Sequence, residues 1–183
     1  MVVQVASRRR GQASLAAAFP GATVLDVTSR GPQPWVRLSP FYPHGGIPVP
    51  FSPGTTGQSV EGIWQALKVF ETADVDPAKL TATGMTGLKR TVRRFGAVRG
   101  HRRGLTGDTL LDYESSRRQI YLPVYRWVLE HRAADEVTAL RRLAAAGDLV
   151  LLDYTTNGDV TDLTTPLSHA ALIRRHLLSD WPG

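Results

Sequence analysis

The sequence predicts a helix-rich α+β fold with a small sheet, organised as one domain over residues 1–183. Three observations carry that prediction. Val60, Ile63, Trp64, Leu67 and Phe70 recur at the spacing of a single helix face. Asp148–Tyr154 is a near-continuous apolar run of strand length, set off by Gly147. No repeat, low-complexity segment or linker divides the chain, whose 183 residues suit one domain with a sizeable core.

The elements follow in order. Residues 1–34 read as an N-terminal strand/helix extension: an Arg-rich start, a short helix over Ala13–Phe19, the Pro20-Gly21 turn and a β-rich strand over Ala22–Val27. Ser29–Thr56 holds seven prolines, which exclude helix and leave room only for short edge strands such as Trp35–Leu38 and Ile47–Phe51. Four aromatics in that stretch argue for order. Ser59 is a suitable N-cap, and Glu61 in the first turn complements the dipole of a helix running on to Phe70. Gly62 inside this helix leaves backbone uncovered beside Glu61, with room for something to approach.

Beyond an acidic turn at Asp74–Asp76 comes a Gly-punctuated basic segment, expected as a short helix over Thr86–Phe95 and then a loop. A long helix is expected over Leu110–His131, open to interruption at Pro123, and another over Asp135–Ala146 with Gly147 as its C-cap. After the Asp148–Tyr154 strand, a polar loop over Thr155–Pro166 leads to a closing helix, Leu167–Leu178.

Composition excludes several function classes. With no cysteine there is no disulfide scaffold, thiolate zinc site or cysteine nucleophile, which points to a reducing cytoplasm. No apolar run approaches the roughly 20 residues that span a bilayer, so no membrane partner is expected. The early Arg8, Arg9 and Arg10 follow a very short apolar run, the reverse of a secretory signal, so no export is expected. The net charge is +6, but Lys89, Arg90, Arg93, Arg94, Arg99, Arg102 and Arg103 contribute seven positive charges within Gly84–Leu105, and the chain without them would carry −1. Basicity is therefore local.

The five histidines are scattered without metal-ligand spacing, and no Walker-type or dinucleotide-binding glycine loop is present, so no metal and no cofactor is expected. Ser168 and His169 are neighbours in sequence, which on a helix do not face each other; His169 reads as a helix-start residue with a local hydrogen bond. Glu61, Gln65 and Lys68 form a polar stripe beside Trp64. A carboxylate at the border of an apolar face suits general acid or base work, and the same stripe suits a solvated helix face. Asn157, Asp159 and Asp162 follow the late strand, where ligand sites collect, and are equally at home in tight turns.

Phe41-Tyr42-Pro43 followed by Ser59-Val60-Glu61-Gly62-Ile63-Trp64-Gln65-Ala66-Leu67-Lys68 resembles the signature of the NADAR superfamily, the YbiA-like proteins. The later elements follow in the same order, so the resemblance spans roughly residues 35–178, with its specificity in the Glu61 helix. The chain also resembles actinobacterial and phage proteins sharing S-P-F-Y-P-H-G, S-V-E-G-I-W-Q and P-L-S-H-A. The NADAR resemblance implies a metal-independent N-glycosidase acting on a phosphorylated ribosyl or ADP-ribosyl compound. It implies Glu61 and Asp159 or Asp162 as the catalytic carboxylates, and Phe41, Tyr42, Trp64, Gln65 and Lys68 as substrate-binding positions. Lys89, Arg90 and Asn157 add candidate contacts to phosphate and sugar. The Trp-Gly that follows the later Asp in that family is replaced here by Leu163-Thr164-Thr165-Pro166, and its Glu-His-Tyr by Glu61-Gly62-Ile63, both in the pocket. Two other readings stand beside this one: a nucleic-acid-binding module using residues 89–103, which lacks interleaved aromatics in that segment, and a non-catalytic nucleotide-sensing domain.

Overall fold

The computed structural model describes residues 2–182. In chain order these form β1 (Val3–Ser7), α1 (Gln12–Ala18), β2 (Thr23–Asp26), a 3-10 turn (Trp35–Leu38), β3 (Ile47–Pro48), β4 (Thr56–Gly57), α2 (Val60–Leu67) and β5 (Lys68–Phe70). There follow a second 3-10 turn (Pro77–Leu80), α3 (Val92–Phe95), β6 (Val98–Arg102), β7 (Leu110–Leu111), α4 (Tyr113–Ser116), a π turn (Arg117–Tyr121), α5 (Leu122–His131), α6 (Ala134–Ala146), β8 (Leu149–Asp153) and α7 (His169–Leu177). This is an α+β fold with small sheets. Backbone contacts group the chain into two compact units, Met1–Ser39 with Leu129–Gly183, and Pro40–Val128.

The first unit is organised by β8. Its residues are buried except for half-covered Leu152, and it pairs in parallel with β1 on one side and β2 on the other. Side chains alternate across the sheet. Ala6 and Val150 face α1, where Leu15 joins them and Phe19, Ala22 and Leu152 close the cluster. The helix α7 packs against β1 and β8, burying Ala170, Leu172 and Ile173. Residues 1–34 thus supply both outer strands of this sheet, and β1 occupies what the sequence suggested was only an Arg-rich start. Trp35–Leu38 is a 3-10 turn rather than an edge strand. Val36 N–H donates to Pro32 O and Arg37 N–H to Pro34 O, since prolines preset the backbone for tight turns.

In the second unit α2 forms where the apolar stripe predicts it. Ser59 caps it by accepting a hydrogen bond from Gly62 N–H at 3.0 Å, and Val60, Ile63 and Leu67 are buried. The helix stops at Leu67. Lys68 is extended (φ −71, ψ 133) and begins β5, so Lys68 and Phe70 lie on a strand, not on the helix. β5 pairs antiparallel with β6, and β6 with β7. The expected helix over Thr86–Phe95 is confined to Val92–Phe95, and the basic stretch beyond it is a strand. Of the helix expected over Leu110–His131, Leu110–Leu111 is strand β7, and the helical remainder from Tyr113 is split by a π turn ending two residues before Pro123, a bulge that accommodates a residue lacking the N–H of a regular helix.

The space beside Gly62 is filled by the chain itself. A Cβ at this position would lie 2.7 Å from Lys79 O in the second 3-10 turn and 3.0 Å from Ser59 Oγ. The glycine therefore serves close packing of that turn on α2, and the opening expected at this point does not exist. In an unobstructed helix, Gly→Ala gains about 1 kcal/mol. Here Gly62→Ala is expected to lower stability by about 1–3 kcal/mol, measured as a lower denaturant midpoint at unchanged slope. An unchanged or raised midpoint would contradict the packing role.

Candidate functional site

Four of the residues singled out by sequence converge on α2 and its exit. Glu61 enters the first turn with its N–H donating to Pro40 O at 2.9 Å, and only 8% of its surface is exposed. Its Oε1 accepts a hydrogen bond from Gln65 Nε2 at 2.9 Å, one turn along the helix. Gln65 is oriented in turn, because its Oε1 accepts from Arg90 N–H at 2.9 Å. A carboxylate accepts several hydrogen bonds. Among the described residues none donates to Glu61 Oε2, which leaves that oxygen for a ligand.

Lys68 lies half-buried near this carboxylate. Burial lowers its ammonium below the ordinary lysine value; Glu61 pulls the other way, and Lys89 and Arg90 add to the lowering. Its Nζ stands 5.9 Å from the Trp64 ring centre. Trp64 is 9% exposed and is packed by aromatics: His101 stacks at 3.7 Å, Tyr121 meets it edge-on at 5.6 Å and Tyr113 lies at 6.2 Å. These contacts make Trp64 a wall of the niche more than an open platform.

His101 is the residue that sequence reasoning missed. It sits on β6 directly across from Lys68, is 1% exposed, and neither ring nitrogen has a hydrogen-bond partner. Burial, with Lys68 adding to it, pushes the imidazole down to about 3, so it is neutral at ordinary pH. Leaving a buried polar group unpaired costs roughly 1–3 kcal/mol. No sequence signal marks it, because Val98–Arg102 holds a single apolar side chain among glycine and arginines.

Arg90 belongs to the fold. Its guanidinium donates to Lys68 O at 2.6 Å, Gln65 O at 3.3 Å and Asp74 O at 2.7 Å, and lies beside the paired rings of Phe70 and Phe95 at 4.9 and 5.1 Å. The Gln65 and Lys68 carbonyls lack intrahelical partners because α2 gives way to β5, and Asp74 O belongs to the turn beyond β5. The phosphate contact expected of Arg90 is thereby replaced by a structural one. Elsewhere in the basic segment Arg99 pairs with Glu71 and Arg102 with Asp74. Lys89 is exposed, 5.6 Å from the Phe41 ring, and Tyr42 packs on His44 at 4.8 Å.

Asn157, Asp159 and Asp162 lie in the first unit, where the loop uses their side chains for its own turns. Asn157 Nδ2 donates to Asp162 O and Thr165 O; Asp159 Oδ1 accepts from Thr161 and Asp162 Oδ1 from Thr164, each through backbone and hydroxyl. This is the tight-turn chemistry that the same residue types allow.

The same unit holds a second buried constellation. Asp153 Oδ2 accepts from Ser168 Oγ at 2.8 Å and from His169 Nδ1 at 2.9 Å, while His169 Nε2 faces Val27 O at 2.9 Å. His169 therefore joins β8, α7 and the end of β2 rather than making a local bond. A carbonyl can only accept, so both ring nitrogens donate and the ring is an imidazolium. Burial opposes the charge, but Asp153 and Val27 O outweigh it and hold His169 above its ordinary value. Burial likewise opposes the Asp153 carboxylate, and His169 and Ser168 outweigh it, keeping that group below the usual range. Ser168 Oγ is spent on Asp153 and on capping Ala171 N–H, so this is a bolt and not a nucleophile–base pair.

Among the described residues no group of three or more His, Cys, Asp or Glu side chains can hold a metal ion, and no helix is long and apolar enough to cross a membrane. A hollow of about 500 Å³ lined by Arg10, Leu15, Phe19 and Val24 lies against α1 and contains none of the candidate residues. Residues 7–173 match a family of unknown function (DUF6939), and the chain belongs to that family. No curated protein and no solved structure matches it.

The Asp153–His169 bolt makes stability depend on pH. A group whose folded value is raised contributes fully below its unfolded value, about 6.5 for imidazole, and that contribution is lost as pH rises through the folded value. The thermal midpoint is expected to fall as pH rises above about 6.5, and His169→Gln is expected to flatten that fall. Equal pH slopes in the two proteins would contradict the imidazolium.

Proposed function

We propose that the chain is a metal-independent N-glycosidase that hydrolyses the C–N bond of a phosphorylated ribosyl or ADP-ribosyl compound in the cytoplasm. One observation carries the reading: a nearly buried carboxylate, Glu61, with one oxygen fixed by Gln65 and the other unoccupied by protein donors. The NADAR resemblance of the Glu61 helix supports the choice of bond. Cleavage of a glycosidic C–N bond passes through an oxocarbenium-like state, which a carboxylate stabilises. Glu61 Oε2 takes a proton from water, the water oxygen bonds to the anomeric carbon, and the base leaves with the electron pair of the broken bond. Lys68, whose ammonium burial holds below the ordinary lysine value, supplies a cation for phosphate or for the departing base. The turn-bound Asp159 and Asp162 are not required for these steps.

A second reading has its own support. The structure brings aromatics to the basic segment from outside it: Arg103 lies 4.2 Å from the Phe51 ring and Lys89 5.6 Å from Phe41, while Arg94 lies 5.0 Å from Phe95 within the segment. Cation–aromatic surfaces of this kind bind single strands.

Incubation with NAD, nicotinamide mononucleotide and AMP, followed by chromatography of the released base, tests the first reading. Glu61→Gln is expected to cut turnover by roughly 10²–10⁴-fold with the fold unchanged by circular dichroism. Wild-type turnover in that variant would sink the assignment, and binding without release in the native protein would leave a nucleotide sensor. For the second reading, oligonucleotide affinity should fall steeply with salt and weaken in Arg103→Gln; affinity independent of salt would reject it.

A further inference from the structure

In the unit built on β1, β8 and β2, three parallel strands end side by side. Ser7 pairs with Asp153 and Asp26 with Leu152, so their carboxyl ends are level. Open parallel sheets collect ligands at this edge, where the connections from neighbouring strands part. The groups that follow β1 and β2 here are cationic, and Arg8 is held in place.

Arg8 Nε donates to Asp26 Oδ2 at 2.6 Å. Asp26 is fixed in turn, its Oδ1 accepting from Thr28 N–H at 2.9 Å and Thr28 Oγ1 at 2.6 Å. Burial opposes the Asp26 charge, but Thr28 and Arg8 outweigh it, so the carboxylate stays ionised and the guanidinium stays clamped. The terminal nitrogens of Arg8 donate to none of the described residues, and its side chain is 30% exposed. It lies 5.5 Å from the ring of Tyr154, an aromatic left 38% exposed as β8 ends. Arg9 and Arg30, in the loops leaving β1 and β2, are exposed and have no acidic partner among the described residues. The other carboxylate at this edge, Asp153, is consumed by Ser168 and His169. Arg10 is turned onto Ser14 and Phe19.

We infer that this edge binds a phosphorylated small molecule, with the phosphate on the guanidinium groups of Arg8, Arg9 and Arg30 and a planar group of the ligand against Tyr154. Guanidinium forks match phosphate oxygens two at a time, and a clamped guanidinium loses little freedom on binding. The site is independent of Glu61 and of the reaction proposed for it.

Calorimetric titration of the full chain with AMP, ribose 5-phosphate and inorganic phosphate at low ionic strength tests the inference. The double variant Arg9→Gln/Arg30→Gln keeps the Arg8–Asp26 pair and is expected to weaken AMP and ribose 5-phosphate by about tenfold or more. Tyr154→Leu is expected to weaken AMP alone. Absence of binding by the native protein, or unchanged affinity in the double variant, overturns the site. Loss of AMP binding in Lys68→Met with the double variant unaffected does the same, because the ligand would then sit beside Glu61. Inorganic phosphate bound as tightly as AMP overturns the planar subsite.

Discussion

The buried amide of Gln65 is the interaction on which the Glu61 niche depends. It donates to Glu61 and accepts from the Arg90 backbone, so one side chain fixes the carboxylate and ties it to the segment following the second 3-10 turn. At 2% exposure it has little water to exchange partners with. Arg90 completes the arrangement by covering carbonyls that α2 abandons when the chain turns into β5. A buried polar network of this kind orients groups only when its members are satisfied, and these are, apart from the Arg90 Nε and the Glu61 Oε2 that faces a ligand in the proposed reaction.

The niche also carries a local conflict. His101 is neutral, unpaired and stacked on Trp64, opposite a lysine whose own charge is disfavoured by burial. Stability alone would favour an apolar residue there, and strained or unsatisfied groups tend to gather where function demands them. In the other unit the opposite holds. Asp153, Ser168 and His169 satisfy one another, and their joint effect is to hold the sheet, α7 and the end of β2 together.

Much of this was legible in the residues. The apolar stripe from Val60 to Leu67 and the run around Leu149–Asp153 declared α2 and β8, because period and burial agree there. The α+β class follows from those two elements. What escaped notice depends on distant partners. β1 is a strand because β8, about 150 residues later, pairs with it, and Lys68 leaves the helix because β6 is there to receive β5. The Glu61–Gln65 link was readable at its i, i+4 spacing. The duty of Arg90 was not, since a guanidinium bound to carbonyls and one free for phosphate look alike in sequence, and neither was the distinction between turn-forming and ligand-bearing aspartates at Asp159 and Asp162.

The claim at the centre of this account is that Glu61 Oε2 faces the reacting carbon of a ribosyl nucleotide. A crystal structure of Glu61→Gln soaked with nicotinamide mononucleotide tests it most directly. The anomeric carbon is expected within about 3.5 Å of the residue 61 side chain, the near-attack distance for such a step, with phosphate toward Lys68. A nucleotide bound only elsewhere, with the niche closed around Trp64 and His101, would contradict it.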